Sequence, residues 1–84
     1  MENNLKHHVY LIRSESDPSR FYKGYTQDVI TRLTRHNRGE VSSTSKYRPW
    51  SLQTIISFDS KDKALKFEKY LKSHSGRAFS SKHF

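Results

Sequence analysis

The chain has 84 residues, which makes one domain over residues 1–84 the expectation. Sixteen Lys and Arg oppose eight Asp and Glu, and the resulting +8 favours a polyanionic partner, nucleic acid before an acidic membrane surface. No cysteine is present, which excludes disulfide partners and thiolate metal sites, and no apolar run has the length of a signal segment or membrane span, so a cytoplasmic protein is expected.

Residues 1–6 are polar and read as a frayed N-terminus. The apolar, β-prone run HHVYLIR reads as a first strand, SESDPS as a turn around Asp17-Pro18, and RFYKGY as a second strand. The connection is too short for a crossover, so the two should form an antiparallel hairpin. Thr26 or Asp28 can cap a helix that runs to about Arg38 and stops at Gly39, with Val29, Ile30 and Leu33 on one side. GEVSSTSKYRPW reads as a loop or short helix. WSLQTIISF reads as a third strand with Trp50, Leu52, Ile56 and Phe58 on one face and Thr54 in the row. DSKDKALKFEKYLKSH reads as an amphipathic helix opened by Asp59 or Ser60 and ended by Gly76, and RAFSSKHF can add a final turn. The order β-β-α-β-α describes an α+β fold, a small sheet with helices packed on it. Apolar residues are only 32% of the chain while aromatics are 13%, so a few large rings must carry a thin core.

Several residues could carry chemistry. Strand alternation places Tyr22 and Gly24 on one face, and the hairpin can bring Tyr10 beside Tyr22. Gly24 on that face leaves space for a ligand or a close backbone approach; otherwise it is a bulge between core tyrosines. Arg32 and His36 are i, i+4 neighbours at the edge of the Val29/Leu33 stripe. There the Arg could grip a phosphate with its planar fork, or merely cover apolar surface. Glu68 falls within the stripe formed by Ala64, Phe67 and Leu71. A carboxylate there needs either an ion-pair partner, such as Arg32 or Lys46, or a hard cation of the kind held by one or two carboxylates, water and phosphate. Lys23, Arg35, Lys46, Arg48 and Trp50 supply charge interleaved with aromatics, which suits phosphate contact and base stacking.

HVYLI followed by FYKGYTQDVITRLTRHN resembles the GIY-YIG nuclease domain. The two short motifs fall at His8-Val9-Tyr10 and Tyr22-Lys23-Gly24, and the run from Thr26 to Asn37 is the most specific part. SKYRPW and KALKFEKYLKS look like the family's Lys/Arg-Pro segment and its glutamate helix. The resemblance implies a three-stranded antiparallel sheet flanked by helices. It also implies an endonuclease that hydrolyses nucleic-acid phosphodiesters, DNA ahead of RNA, with one divalent cation, Mg²⁺ or Mn²⁺. By position, Tyr10, Tyr22, Arg32, His36 and Glu68 are then catalytic, Glu68 holds the metal, and Gly24 shapes the site. His8 and Lys23 depart from the usual Gly and Ile. No Asn follows Asn37, so the family's late Asn is missing or replaced by Ser73 or His74. A nucleic-acid-binding module that keeps the fold without cleaving is the alternative. A basic protein that docks on ribosomal RNA or acidic proteins would rest on charge alone.

Overall fold

The computed structural model describes residues 6–73. The central strand β1 (His7–Ser14) pairs antiparallel with β2 (Phe21–Thr26) on one side and β3 (Trp50–Phe58) on the other, giving the order β2-β1-β3. Helix α1 (Val29–Asn37) lies between β2 and β3 in sequence, and α2 (Lys61–Lys72) follows β3. This is the β-β-α-β-α architecture, with a three-stranded antiparallel sheet and two helices.

The local chemistry fixes the helix starts. Asp28 caps α1 by accepting from the Thr31 amide at 3.1 Å and the Thr31 hydroxyl at 2.8 Å. Ser60, rather than Asp59, caps α2 by accepting from the Lys63 amide. Gly39, at φ +79°, takes the left-handed conformation just beyond α1 that other residues rarely adopt. Helix α2 ends at Lys72 with Ser73 as its cap. The stop expected at Gly76, the final turn, His74 and nearly all of the expected frayed N-terminus lie outside the described residues. The segment between α1 and β3 holds a single 3₁₀ turn, Ser45–Tyr47.

Val9, Tyr10, Leu11 and Ile12 are all buried, because both faces of β1 are covered. Val9 packs with Ala64 and Leu71 of α2, joined by Tyr25, Phe58 and Phe67. Tyr10 and Ile12 point the other way and pack with Trp50, Tyr22, Val29, Leu33 and Tyr47. The helices therefore cover opposite faces of the sheet.

Strand β3 departs from the expected single apolar face. Leu11 pairs with Thr54, but Ile12 pairs with Leu52, so Gln53 is an extra residue and the register shifts. Directly paired residues point to the same face. Trp50 and Leu52 thus lie on the α1 face, while Thr54, Ile56 and Phe58 lie on the α2 face. The bulge splits one apparent row between two cores. On α1, Ile30 also departs from expectation: it is 81% exposed, while Val29 and Leu33 turn inward. No helix among the described residues is long and apolar enough to cross a membrane.

Candidate active site

The hairpin register places Tyr10 directly opposite Gly24 and Ile12 opposite Tyr22. Tyr10 and Tyr22 are diagonal neighbours, with ring centroids 6.4 Å apart. The space above Gly24 is not open. A Cβ there would stand 2.6 Å from Tyr10 Cζ and 2.8 Å from Cε1, so the missing side chain is what lets the Tyr10 ring lie over β2. Gly24→Ala should push that ring out of place and cost about 1–3 kcal/mol, as overpacking does. A melting temperature equal to the parent's would show that the ring can move freely.

His36 is fully buried, not at the edge of the helix stripe. Its Nε2 lies 2.8 Å from the Tyr10 hydroxyl and its Nδ1 lies 2.7 Å from Thr44 Oγ1. Thr44 Oγ1 is in turn 3.2 Å from the Val41 carbonyl. That carbonyl can only accept, so the Thr44 hydroxyl donates to it. Thr44 Oγ1 then accepts from His36 Nδ1–H, which leaves Nε2 unprotonated and accepting from the Tyr10 O–H. One directional chain, Tyr10 to His36 to Thr44 to Val41, satisfies every member. The Tyr22 ring stands against the same imidazole, edge to face with centroids 5.0 Å apart.

The electrostatics agree with a neutral imidazole. Burial, then the positive charges of Arg32 and Arg35, hold His36 below the ordinary histidine range. Burial pushes the Tyr10 phenol well above its ordinary value; Tyr22 and Glu68 push it the same way, while Arg32 opposes them. Half-buried Arg32 and Glu68 are therefore both near enough for their charges to act on the Tyr10 hydroxyl. The linkage signs follow. His36 is depressed, so its contribution to stability is complete above its ordinary 6.5 and is lost as pH falls through that range. Tyr10 is raised, so its contribution is complete below its ordinary 10.0 and is lost above it. Thermal melts should show a plateau from about pH 7 to 9.5 that declines on both sides. Asp17 and Asp28 are also depressed, but from 3.8, so a decline between about pH 6.5 and 5 reports His36. A melting temperature that rises on acidification through that interval would contradict a buried neutral imidazole.

Glu68 sits on the inner side of α2, its side chain only 19% exposed. Its partner is neither Arg32 nor Lys46 but Lys72, whose Nζ lies 3.3 Å from Glu68 Oε2. The last turn of α2 reaches the outer edge of β2, where Lys72 Nζ stands 5.9 Å from the Tyr22 ring centroid. Among the described residues no group of three or more His, Cys, Asp or Glu could enclose a metal. The donor set is thus one poorly solvated carboxylate, and that fits a hard cation which takes its remaining ligands from water and phosphate.

The outlying basic residues divide. Lys23 lines a cavity at the β2 edge with Phe21, Tyr22 and Lys72. Arg35 pairs with Glu40 at 3.4 Å, and Lys46 stands over the Tyr47 ring, whose centroid is 4.3 Å from the Arg20 guanidinium. Arg48 donates to the Ser45 carbonyl and lies close against Gly39. Trp50 does not fit the expectation of a base-stacking platform. It is 4% exposed, its indole N–H donates to the Thr44 carbonyl at 2.8 Å, and its backbone is clasped by Asn37. Trp50 is a core residue that holds the Thr44 loop against α1.

The sequence reading missed Thr44, Asn37 and Lys72 as parts of this arrangement. Thr44 lies in a Ser/Thr-rich run that reads only as a loop. Asn37 and Lys72 did carry signals: Asn37 closes the Thr26–Asn37 run, and Lys72 is i+4 from Glu68.

Sheet, hairpin tyrosines, helix Arg and His, and the glutamate of the last helix together define one class of domain. The chain belongs to the GIY-YIG family: residues 6–82 match the GIY-YIG catalytic domain. A UPF0213 protein of Halobacterium salinarum is 40% identical over 67 residues, covering 79% of this chain and 84% of that protein. The structure-specific endonuclease subunit SLX1 of Scheffersomyces stipitis is 41% identical over 68 residues, covering 71% of this chain but 20% of that much longer protein. The solution structure of a UPF0213 protein from Bacillus halodurans superposes with a TM-score of 0.55 at 30% identity, covering 90% of this chain and 80% of that one.

Proposed function

We propose that the protein is a metal-dependent endonuclease that hydrolyses nucleic-acid phosphodiester bonds, with DNA as substrate. The observation that carries this reading is the buried Tyr10–His36–Thr44 chain, with the charges of Arg32 and Glu68 acting on the Tyr10 hydroxyl. The name of the longer SLX1 relatives supports the same activity.

A phenol raised this far above its ordinary value is a poor base alone. Tyr10 is not alone. As an attacking water gives a proton to Tyr10 Oη, the phenol proton passes to His36 Nε2, and the water oxygen bonds to phosphorus as the P–O bond to the leaving strand breaks. Arg32 neutralises charge on the phosphoryl oxygens. It also tunes the base: burial first, and then the Arg32 guanidinium, depress His36, and a bound phosphate offsets the second of these and raises the basicity of the imidazole. Tyr22 fixes the imidazole edge and can orient the water. Glu68 would hold the cation, which when bound supplies stabilisation of the leaving oxygen.

Labelled single-stranded, duplex and branched DNA, and matching RNA, should be incubated with Mg²⁺, Mn²⁺ or chelator. Cleavage of DNA in metal and none in chelator is expected. Binding of duplex DNA in chelator should weaken with salt by about 0.9 log units per phosphate contact per log unit. Salt-steep binding without cleavage in either metal would replace the nuclease reading with that of a binding module.

A further inference from the structure

Glu68 and Lys72 form more than a surface pair, because of what surrounds each end. Glu68 is held against the sheet with its side chain 19% exposed, while Lys72 is 52% exposed on the last residue of α2. The Lys72 ammonium, 3.3 Å from Glu68 Oε2, occupies a position on that oxygen that a cation could take. A divalent ion and an ammonium cannot share that position, because their charges repel at contact distance. Lys72 has somewhere else to go. Its side chain already forms part of the wall of a cavity of about 420 Å³ at the β2 edge, lined with it by Phe21, Tyr22 and Lys23. A lysine stem is flexible enough to turn its ammonium from Glu68 further into that cavity.

We propose that Lys72 is a stand-in cation: it neutralises Glu68 in the metal-free protein, yields that place to a divalent ion, and turns further into the β2-edge cavity to meet a phosphate of the bound strand. This inference rests on the metal-dependent reading of the site. It makes the two binding events favour each other. A strand phosphate that draws the Lys72 ammonium further into the cavity clears Glu68 for metal, and metal on Glu68 frees Lys72 for the strand; by linkage the two effects are equal. Without Lys72 the coupling should fall and the metal should bind more tightly on its own.

The test measures Mn²⁺ binding to the full chain by electron paramagnetic resonance, first without nucleic acid and then with a short oligonucleotide. Lys72→Met keeps the apolar stem and removes the charge. It should bind Mn²⁺ roughly fivefold more tightly than the parent, the factor that one unit-charge contact is worth in water. Lys72→Arg should behave as the parent. The oligonucleotide should tighten Mn²⁺ binding to the parent and do so much less in Lys72→Met. Glu68→Gln should lose the Mn²⁺ site in either case. If Glu68→Gln loses Mn²⁺ while Lys72→Met binds it no more tightly than the parent, the stand-in role is overturned and the metal site survives. If Glu68→Gln binds Mn²⁺ as the parent does, the metal assignment itself falls and the stand-in role with it.

Discussion

Tyr10→Phe is expected to fold and to lose cleavage by about 10²–10⁴-fold, the range general-base catalysis supplies. The change deletes the hydroxyl that hydrogen-bonds His36 and leaves the edge-on contact of the two rings, with centroids 5.8 Å apart. The ring that fills the space over Gly24 remains, as does its packing with Ile12 and Trp50. His36 Nε2 is left without a donor in a fully buried position, which costs about 1–3 kcal/mol. The melting temperature should therefore drop while a cooperative transition persists. Tyr22→Phe is the control: its ring contact with His36 is kept, and its loss of rate should be the smaller of the two. Cleavage kinetics and melts on the same preparations test this. Parental rates in Tyr10→Phe would reduce the buried hydroxyl to a structural hydrogen bond and leave Tyr22 as the only tyrosine in contention for the base.

The order of elements was legible because its signals are local. Asp28 and Ser60 cap, Gly39 terminates, and the hairpin connection is short. What eluded the sequence depends on pairs far apart in the chain. The bulge at Gln53 exists only through the register of β3 against β1, so alternation within WSLQTIISF placed five residues on one face that the sheet divides between two. Trp50 looked like a stacking platform because it sits among basic residues. Its burial is set by Thr44 and Asn37, through a side-chain clasp that periodicity does not register. The site follows the same rule. Arg32 and His36 were visible as an i, i+4 pair, but the wheel put His36 at the rim; a buried Thr44 and the Tyr10 hydroxyl make full burial affordable. Gly24 was recognised as the position where something comes close. That the visitor is Tyr10 from the neighbouring strand follows from register alone.

Glu68→Gln is expected to abolish metal-dependent cleavage while barely changing stability. A buried ion pair broken on one side would cost about 3–5 kcal/mol. Here the partner, Lys72, is half exposed and one helical turn away, so its stranded ammonium returns to water. Pairs of this kind contribute only about 0.3–0.5 kcal/mol, and the Gln carbonyl can still accept from Lys72. The loss of activity should be about a thousandfold or more, because a metal's stabilisation of transition-state charge is worth several kcal/mol. The sign of the electrostatics separates this cause from an indirect one. The negative charge of Glu68 helps to raise the Tyr10 phenol, so removing it should, by itself, make Tyr10 easier to deprotonate. It should also strengthen strand binding in chelator by removing a repulsion. A variant that melts with the parent, binds DNA at least as well, and fails to cleave has lost the cation and nothing else. A variant that cleaves at the parental rate would show that Glu68 serves only as the anchor of Lys72.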